Sequence, residues 1–259
     1  MSSLEPDPSG ALSALLRFAR RRLARGVPYG LGFTVAFAVV AALLFAFLGI
    51  ADAMLEADDI ARFDDRAHDV LYEAIGPYEG LVAGITFLGN NATLIALVVA
   101  VSLGLVIGRR YWSAFRVVFA SGLGGIIIVG LKQLFQRTRP LDQVLPAHGY
   151  SFPSGHAFAS TVFYGMMVYL VWRLTDKTWA RVLATVLGTT AFLAIGLSRV
   201  YLNVHYLTDV LAGWSAGLAW LIASLLIVAT VERRTRSERE AVEEQERPDD
   251  ASPEAMRRA

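Results

Sequence analysis

Cysteine is absent from this chain of 259 residues. That excludes disulfides, thiolate metal sites and cysteine nucleophiles. Charge is scarce as well. Asp, Glu, Lys and Arg make up 18% of the residues, and the formal net charge is +1. A balance so near neutrality carries no electrostatic signature of nucleic acid, which is not expected as a partner. The apolar segments also lack the period-two alternation of half-buried strands. No internal repeat stands out.

What remains is apolar. Hydrophobic residues form 55% of the chain, and mean hydropathy is +0.47. The long runs read as membrane spans rather than one water-soluble core. Six are predicted, roughly Leu31–Ile50, Ala92–Ile107, Phe115–Leu134, Ala157–Leu174, Val182–Leu197 and Val210–Val231. Each approaches the ~20 residues that cross ~30 Å of hydrocarbon. Backbone groups in lipid must be bonded internally, so the spans are expected to be helices. The fold class expected is therefore all-α, a six-helix membrane bundle.

The first run follows Arg17, Arg20, Arg21, Arg22 and Arg25 and ends near Ala51-Asp52-Ala53. It is long for a signal h-region of about 7–15 residues, so a retained anchor is expected. Residues 1–30 then form a basic N-terminal segment, and residues 31–231 form the membrane domain. Within it, residues 51–90 form an outer loop with one or two amphipathic helices. There Ile60, Phe63, Ala67, Val70 and Leu71 recur at helical spacing, suited to lying on a membrane surface. Residues 232–259 mix acidic and basic residues with little apolar content and are expected to be disordered.

Three polar clusters interrupt the apolar background: Lys132-(six residues)-Arg139-Pro140, Pro153-Ser154-Gly155-His156, and Ser198-Arg199-(five residues)-His205-(three residues)-Asp209. Two spans separate the second from the third, and only a loop separates the first from the second. All three must therefore meet at one membrane surface. Loop charge suggests which. Arg109-Arg110, Arg173 with Lys177 and Arg181, and Arg233-Arg234 with Arg236 fall on one side together with the N-terminal arginines. The opposite stretch, 51–90, has only Arg62 and Arg66 as cations. By the positive-inside rule both termini are cytoplasmic and the clusters face outward, at the cell membrane.

Each cluster has a bland and a chemical reading. His205 and Asp209, four apart, share a face on a helix. The carboxylate can fix the tautomer of the imidazole and leave its other nitrogen free to attack. Arg199 can give paired bonds to phosphate oxygens. Alternatively, the pair is interfacial and Arg199 snorkels. Ser154 and Gly155 can offer free N–H groups at a helix start to an oxyanion, and His156 follows where it could protonate a leaving oxygen. Alternatively, they are an ordinary cap. Lys132 and Arg139 lie about two turns apart if the helix continues, with Pro140 ending or kinking it. Arg137 adds a cation. Alternatively, these bind headgroups.

Taken together, the clusters resemble the three-part signature of the type 2 phosphatidic acid phosphatases. That superfamily also contains lipid diphosphate phosphatases and vanadium haloperoxidases. The match spans roughly residues 85–230 and fills every signature position, and Phe87-Leu88-Gly89 also looks like the family. The resemblance implies roles for these residues. His205 is the nucleophile, Asp209 orients it, and His156 is the general acid. Lys132, Arg139 and Arg199 hold the phosphoryl oxygens with Ser154 and Gly155. Pro140, Pro153 and Ser198 support them. The expected partners are the bilayer and a phospholipid or polyprenyl phosphate. Three protein cations can do what a metal does elsewhere, so neither metal nor cofactor is expected. The six spans argue against a haloperoxidase. A lipid phosphotransferase and a non-catalytic lipid-phosphate binder remain as alternatives.

Other residues receive bland readings. His68 belongs to a solvated helix face, and Arg116 snorkels at the interface. His148, near the site in sequence, has contact with substrate as its minority reading. Gly122, Gly124, Gly125, Gly213 and Gly217 pack helices. Gly213-x3-Gly217 also leaves a homo-oligomer open.

Overall fold

The computed structural model describes residues 30–55 and 57–245. The basic segment before Gly30 and residues 246–259 lie outside the described residues. Among the described residues there are eight helices: α1 Leu31–Leu55, α2 Ala57–Ile75, α3 Glu79–Phe87, α4 Asn91–Ile107, α5 Tyr111–Phe135, α6 Gly155–Leu174, α7 Thr178–Tyr201 and α8 Leu207–Gln245. Among the described residues there is no strand. Five of these described helices are long and apolar enough to cross a membrane. The bent pair α3 and α4, meeting at 41°, brings the number to six if taken as one span. An all-helical multi-pass bundle is thus what the apolar runs produce.

The bundle is apolar on both its inside and its outside. Val117, Phe158, Val162, Met166 and Ala212 are buried between helices, whereas Phe45, Ile107 and Ile126 point outward. In water that outer surface would be a large exposed apolar patch; in lipid it is the favourable solvent contact. Helix α6 is central, packed against α5, α7 and α8, and α1 lies along α8. Phe47 of α1 meets Phe152, which also meets Phe135 of α5 edge-on at 5.0 Å. This aromatic cluster anchors the loop that leads into α6.

Close backbone approach comes from small residues. A Cβ on Gly213 would fall 2.7 Å from the Ser154 carbonyl oxygen, and one on Gly217 would fall 3.0 Å from that of Phe158. The two glycines therefore pack α8 against α6 within the bundle. Of the four α5 glycines, only Gly124 is tightly packed, against Trp220.

Several local readings are decided by the structure. Helix α5 ends at Phe135, beside the expected Leu134, and does not continue to Pro140: Gln136 adopts a left-handed conformation, φ 48°, and its N–H caps the Lys132 carbonyl. Arg139 consequently reaches the site on a loop. Helix α8 does not end near Val231 but continues to Gln245. Extending an existing helix avoids nucleation, and Arg236 pairs with Glu240 one turn on at 2.9 Å. Disorder from residue 232 is thus replaced by helix through 245. Arg116 does not snorkel; it is 1% exposed and paired with Glu232. In α2, Phe63 and Val70 are exposed, while Asp64 is buried and Ala67, His68 and Leu71 are partly so. Its inner face is polar at its centre, and His68 is not solvated: its Nδ1 lies 2.9 Å from the Val200 carbonyl oxygen.

Candidate active site

The three clusters converge at one end of the bundle. The turn from α7 to α8 is wound about Arg199, whose carbonyl accepts from the N–H groups of Val204 and His205. His205 therefore precedes α8 instead of lying on it. Its Nδ1 is 3.2 Å from Asp209 Oδ2. The same oxygen accepts the Tyr206 N–H at 3.1 Å. That is the carboxylate half of a capping box, with Asp209 in the first turn reaching back over the helix start. One side chain thus caps α8 and orients the imidazole, so the bland and chemical readings coincide.

The other ring nitrogen, Nε2, lies 3.1 Å from Arg139 Nη1. With Nδ1–H donated to Asp209, Nε2 carries the lone pair and faces the cations. His205 is 2% exposed. Burial pulls its pKa down to about 4, assisted by Arg139 and Lys132 and opposed by Asp209. The imidazole is therefore neutral at ordinary pH, the form that keeps a nitrogen lone pair.

Arg139 is held by backbone carbonyls. Its Nη1 donates to Val204 at 2.7 Å, its Nε to Gly149 at 2.9 Å, and its Nη2 to His148 and Tyr150 at 3.2 and 3.3 Å. His148 contributes through its carbonyl; its side chain is exposed. Lys132 Nζ donates to Tyr150 at 2.6 Å and Ser151 at 3.2 Å. Arg199 donates to Thr86 at 2.8 Å, and its buried Nε has no partner. An unpaired buried guanidinium donor is costly unless an anion meets it. Carbonyls fix these cations in place without neutralising them.

Ser154 departs from expectation. Its backbone N–H is not free, because it donates to the Asp209 carbonyl at 2.9 Å, and its side chain caps α6 at Ala157. Gly155 and His156 carry the first-turn N–H groups that remain for an anion. Gly89 packs against His156: a Cβ there would come within 3.3 Å of the ring. Pro140 and Pro153 are buried. Ser198 Oγ donates to the Ile195 carbonyl at 2.6 Å, so it supports α7. Among the described residues no group of His, Asp or Glu is arranged to hold a metal ion.

Three contacts escape the sequence. Thr86 holds Arg199, Arg137 bonds Asp209 Oδ1 at 2.7 Å, and Asp64 bonds Arg137 at 2.9 Å. Their signals are weak: a threonine before Gly89, one more cation, and one carboxylate in an acidic stretch.

The arrangement gathers three cations near one buried imidazole, whose Nε2 accepts from Arg139, and this suits a phosphate ester. Comparison with known proteins agrees. Residues 113–233 match the model of the PAP2 superfamily. The chain is 29% identical over 178 residues to phosphatidylglycerophosphatase B of Bacillus subtilis, covering 68% of this chain and 88% of that one. It is 26% identical over 187 residues to an undecaprenyl-diphosphatase of Sulfolobus acidocaldarius, covering 69% and 84%. Among solved structures, a transmembrane PAP2 type phosphatidylglycerolphosphate phosphatase from Bacillus subtilis superposes with a TM-score of 0.67 at 26% identity, covering 75% of this chain and 96% of that one. Residues 113–233 thus carry the PAP2 superfamily match, and the relatives and the solved structure indicate a membrane-embedded phosphoric ester hydrolase.

Proposed function

We propose that the protein hydrolyses a phosphomonoester or diphosphate of a membrane lipid through a phosphohistidine at His205. The observation that carries this is the state of that ring: Nδ1 on Asp209, the Nε2 lone pair accepting from Arg139 among the cations, and the whole buried. Nε2 attacks phosphorus, and the bond to the leaving oxygen breaks as His156 protonates it. Lys132, Arg139 and Arg199, with the N–H groups of Gly155 and His156, hold the phosphoryl oxygens. Asp209 balances the charge on the imidazole. Water then gives a proton to His156 as it attacks the phosphohistidine, inorganic phosphate leaves, and Nε2 recovers its lone pair. Positioning and charge neutralisation are what phosphoryl transfer requires, and fixed cations supply both.

The candidate substrates are a polyprenyl diphosphate, phosphatidic acid and phosphatidylglycerophosphate. Two of these classes appear among the relatives' substrates by name. An outward-facing site, as loop charge suggests, favours the polyprenyl diphosphate. The test uses purified protein with each lipid separately. Release of inorganic phosphate and trapping of labelled phosphate on His205 are expected. Label passing to a second lipid would point to a phosphotransferase. Tight binding without release would point to a non-catalytic binder.

A further inference from the structure

Asp64 lies on α2, far in sequence from the polar clusters. Its side chain is 0% exposed. Oδ1 accepts the Thr208 N–H at 2.9 Å, and Oδ2 accepts the Thr208 hydroxyl at 2.7 Å and Arg137 Nη2 at 2.9 Å. Arg137 Nη1 continues to Asp209 Oδ1 at 2.7 Å and to Thr208 Oγ1 at 2.8 Å, and the guanidinium stacks over Tyr206 at 4.0 Å. A single guanidinium thus bridges two buried carboxylates, one of which holds the proposed nucleophile.

We infer that Asp64 is a positioning residue for the hydrolysis, holding Arg137 and the first turn of α8 so that Asp209 keeps its angle and its charge toward His205. The inference rests on the reading of His205 as nucleophile. Two consequences follow from the geometry. First, the Thr208 N–H is an orphan donor of the α8 first turn, and Asp64 caps it from another helix. Second, two carboxylates around one guanidinium leave a net negative charge beside the imidazole. Arg137 with Asp209 alone would leave none. A negative charge there stabilises the cationic phosphohistidine, and its loss would be felt strongly in a buried site. Helix α2 thereby becomes part of the active-site frame.

The experiment is Asp64→Asn, which keeps the shape and removes the charge. The kcat is expected to fall about 10- to 100-fold with KM within about twofold. The acid limb of kcat/KM should move about one pH unit lower, because Arg137 is then unbalanced. Arg137→Gln, which leaves two carboxylates, should move the limb the other way, and it carries the test if Asp64→Asn does not fold. The remaining charged and titratable groups around His205 are unchanged in both variants: Asp209 from α8, Lys132 from α5, Arg139 from the loop, His156 from α6 and Arg199 from α7. Asp64→Glu should restore the wild-type limb. A lowered Tm with unchanged kcat and a fixed limb would overturn the inference and leave Asp64 as a structural anchor. If wild type lacks turnover or traps no label on His205, the parent reading fails instead. The His205 ring titration, followed by NMR in the same variants, then still decides whether Asp64 and Arg137 act on it in opposite directions.

Discussion

A buried imidazole can attack phosphorus only while it is neutral, and burial holds His205 in that form down to about pH 4. The sign follows from the direction. Because the folded value lies below the ordinary ~6.5, protonation and loss of activity belong to the range near pH 4. The same depression means that stability declines as pH falls from about 6.5 through about 4, because the unfolded chain takes up the proton first. The acid limb of kcat/KM for the free enzyme is therefore expected near pH 4, and a limb near 6.5 would contradict a buried neutral nucleophile. His156 invites a different measurement. General acids contribute roughly 10²–10⁴-fold, and only where the leaving group needs a proton. His156→Ala should lose activity on that scale with a lipid alcohol as leaving group and far less with an aryl phosphate. His205→Ala should be inactive with both. Equal losses of His156→Ala on both substrates would remove the general-acid role. The two imidazoles and three cations proposed for the site stood out in the sequence because charge inside apolar runs is expensive enough to need a reason. Asp64 did not. It shares an acidic stretch with Asp58, Asp59 and Asp65, and only the approach of α2 to α8 distinguishes it.

Apolar runs set where the helices lie, because each span must bury its backbone bonds whatever its neighbours do. Their ends depend on caps, and that is where the helical reading needed correction. Gln136 stops α5 with a left-handed cap that no periodicity announces, and the Glu- and Arg-rich stretch after Val231 continues α8. Packing between elements was half legible. Small residues at Gly213 and Gly217 suggested close contact but not the partner, which is the entry of α6. A consequence can be tested. Gly213→Ala puts a Cβ 2.7 Å from the Ser154 oxygen and 2.9 Å from Ala157 Cβ, and neither lies on a flexible side chain. Helix α8 must move away, stretching the bond from Ser154 N–H to the Asp209 carbonyl. A loss of about 1–3 kcal/mol is expected, with a fall in kcat, by thermal unfolding and turnover in micelles. Gly122→Ala, where a Cβ meets nothing within 4 Å, is the control and should leave both unchanged. If Gly213→Ala behaves like the control, the α6–α8 contact does not position the site.

At the scale of the whole molecule, the parity of the spans predicted that the three clusters meet. The bonds from Arg139 to His205 and from Ser154 to Asp209 join them at one end of the bundle. Which side that end faces is an electrostatic question, because the same bundle fits a membrane either way round. From the uneven loop charges we propose that the site faces outward. The absence of cysteine makes this directly measurable, since a thiol reagent finds no background in the parent chain. Leu141, 96% exposed and two residues beyond Arg139, marks the site end. Ser237 marks the other: it is exposed on α8, 30 residues from Leu207, and at ~1.5 Å per residue that is ~45 Å, more than the hydrocarbon thickness of ~30 Å. In intact cells a membrane-impermeant maleimide should label Leu141→Cys and leave Ser237→Cys unlabelled until the membrane is opened. The opposite pattern would place the site on the inner face. It would leave the proposed chemistry intact but remove the orientational argument for a polyprenyl diphosphate over the other two lipids.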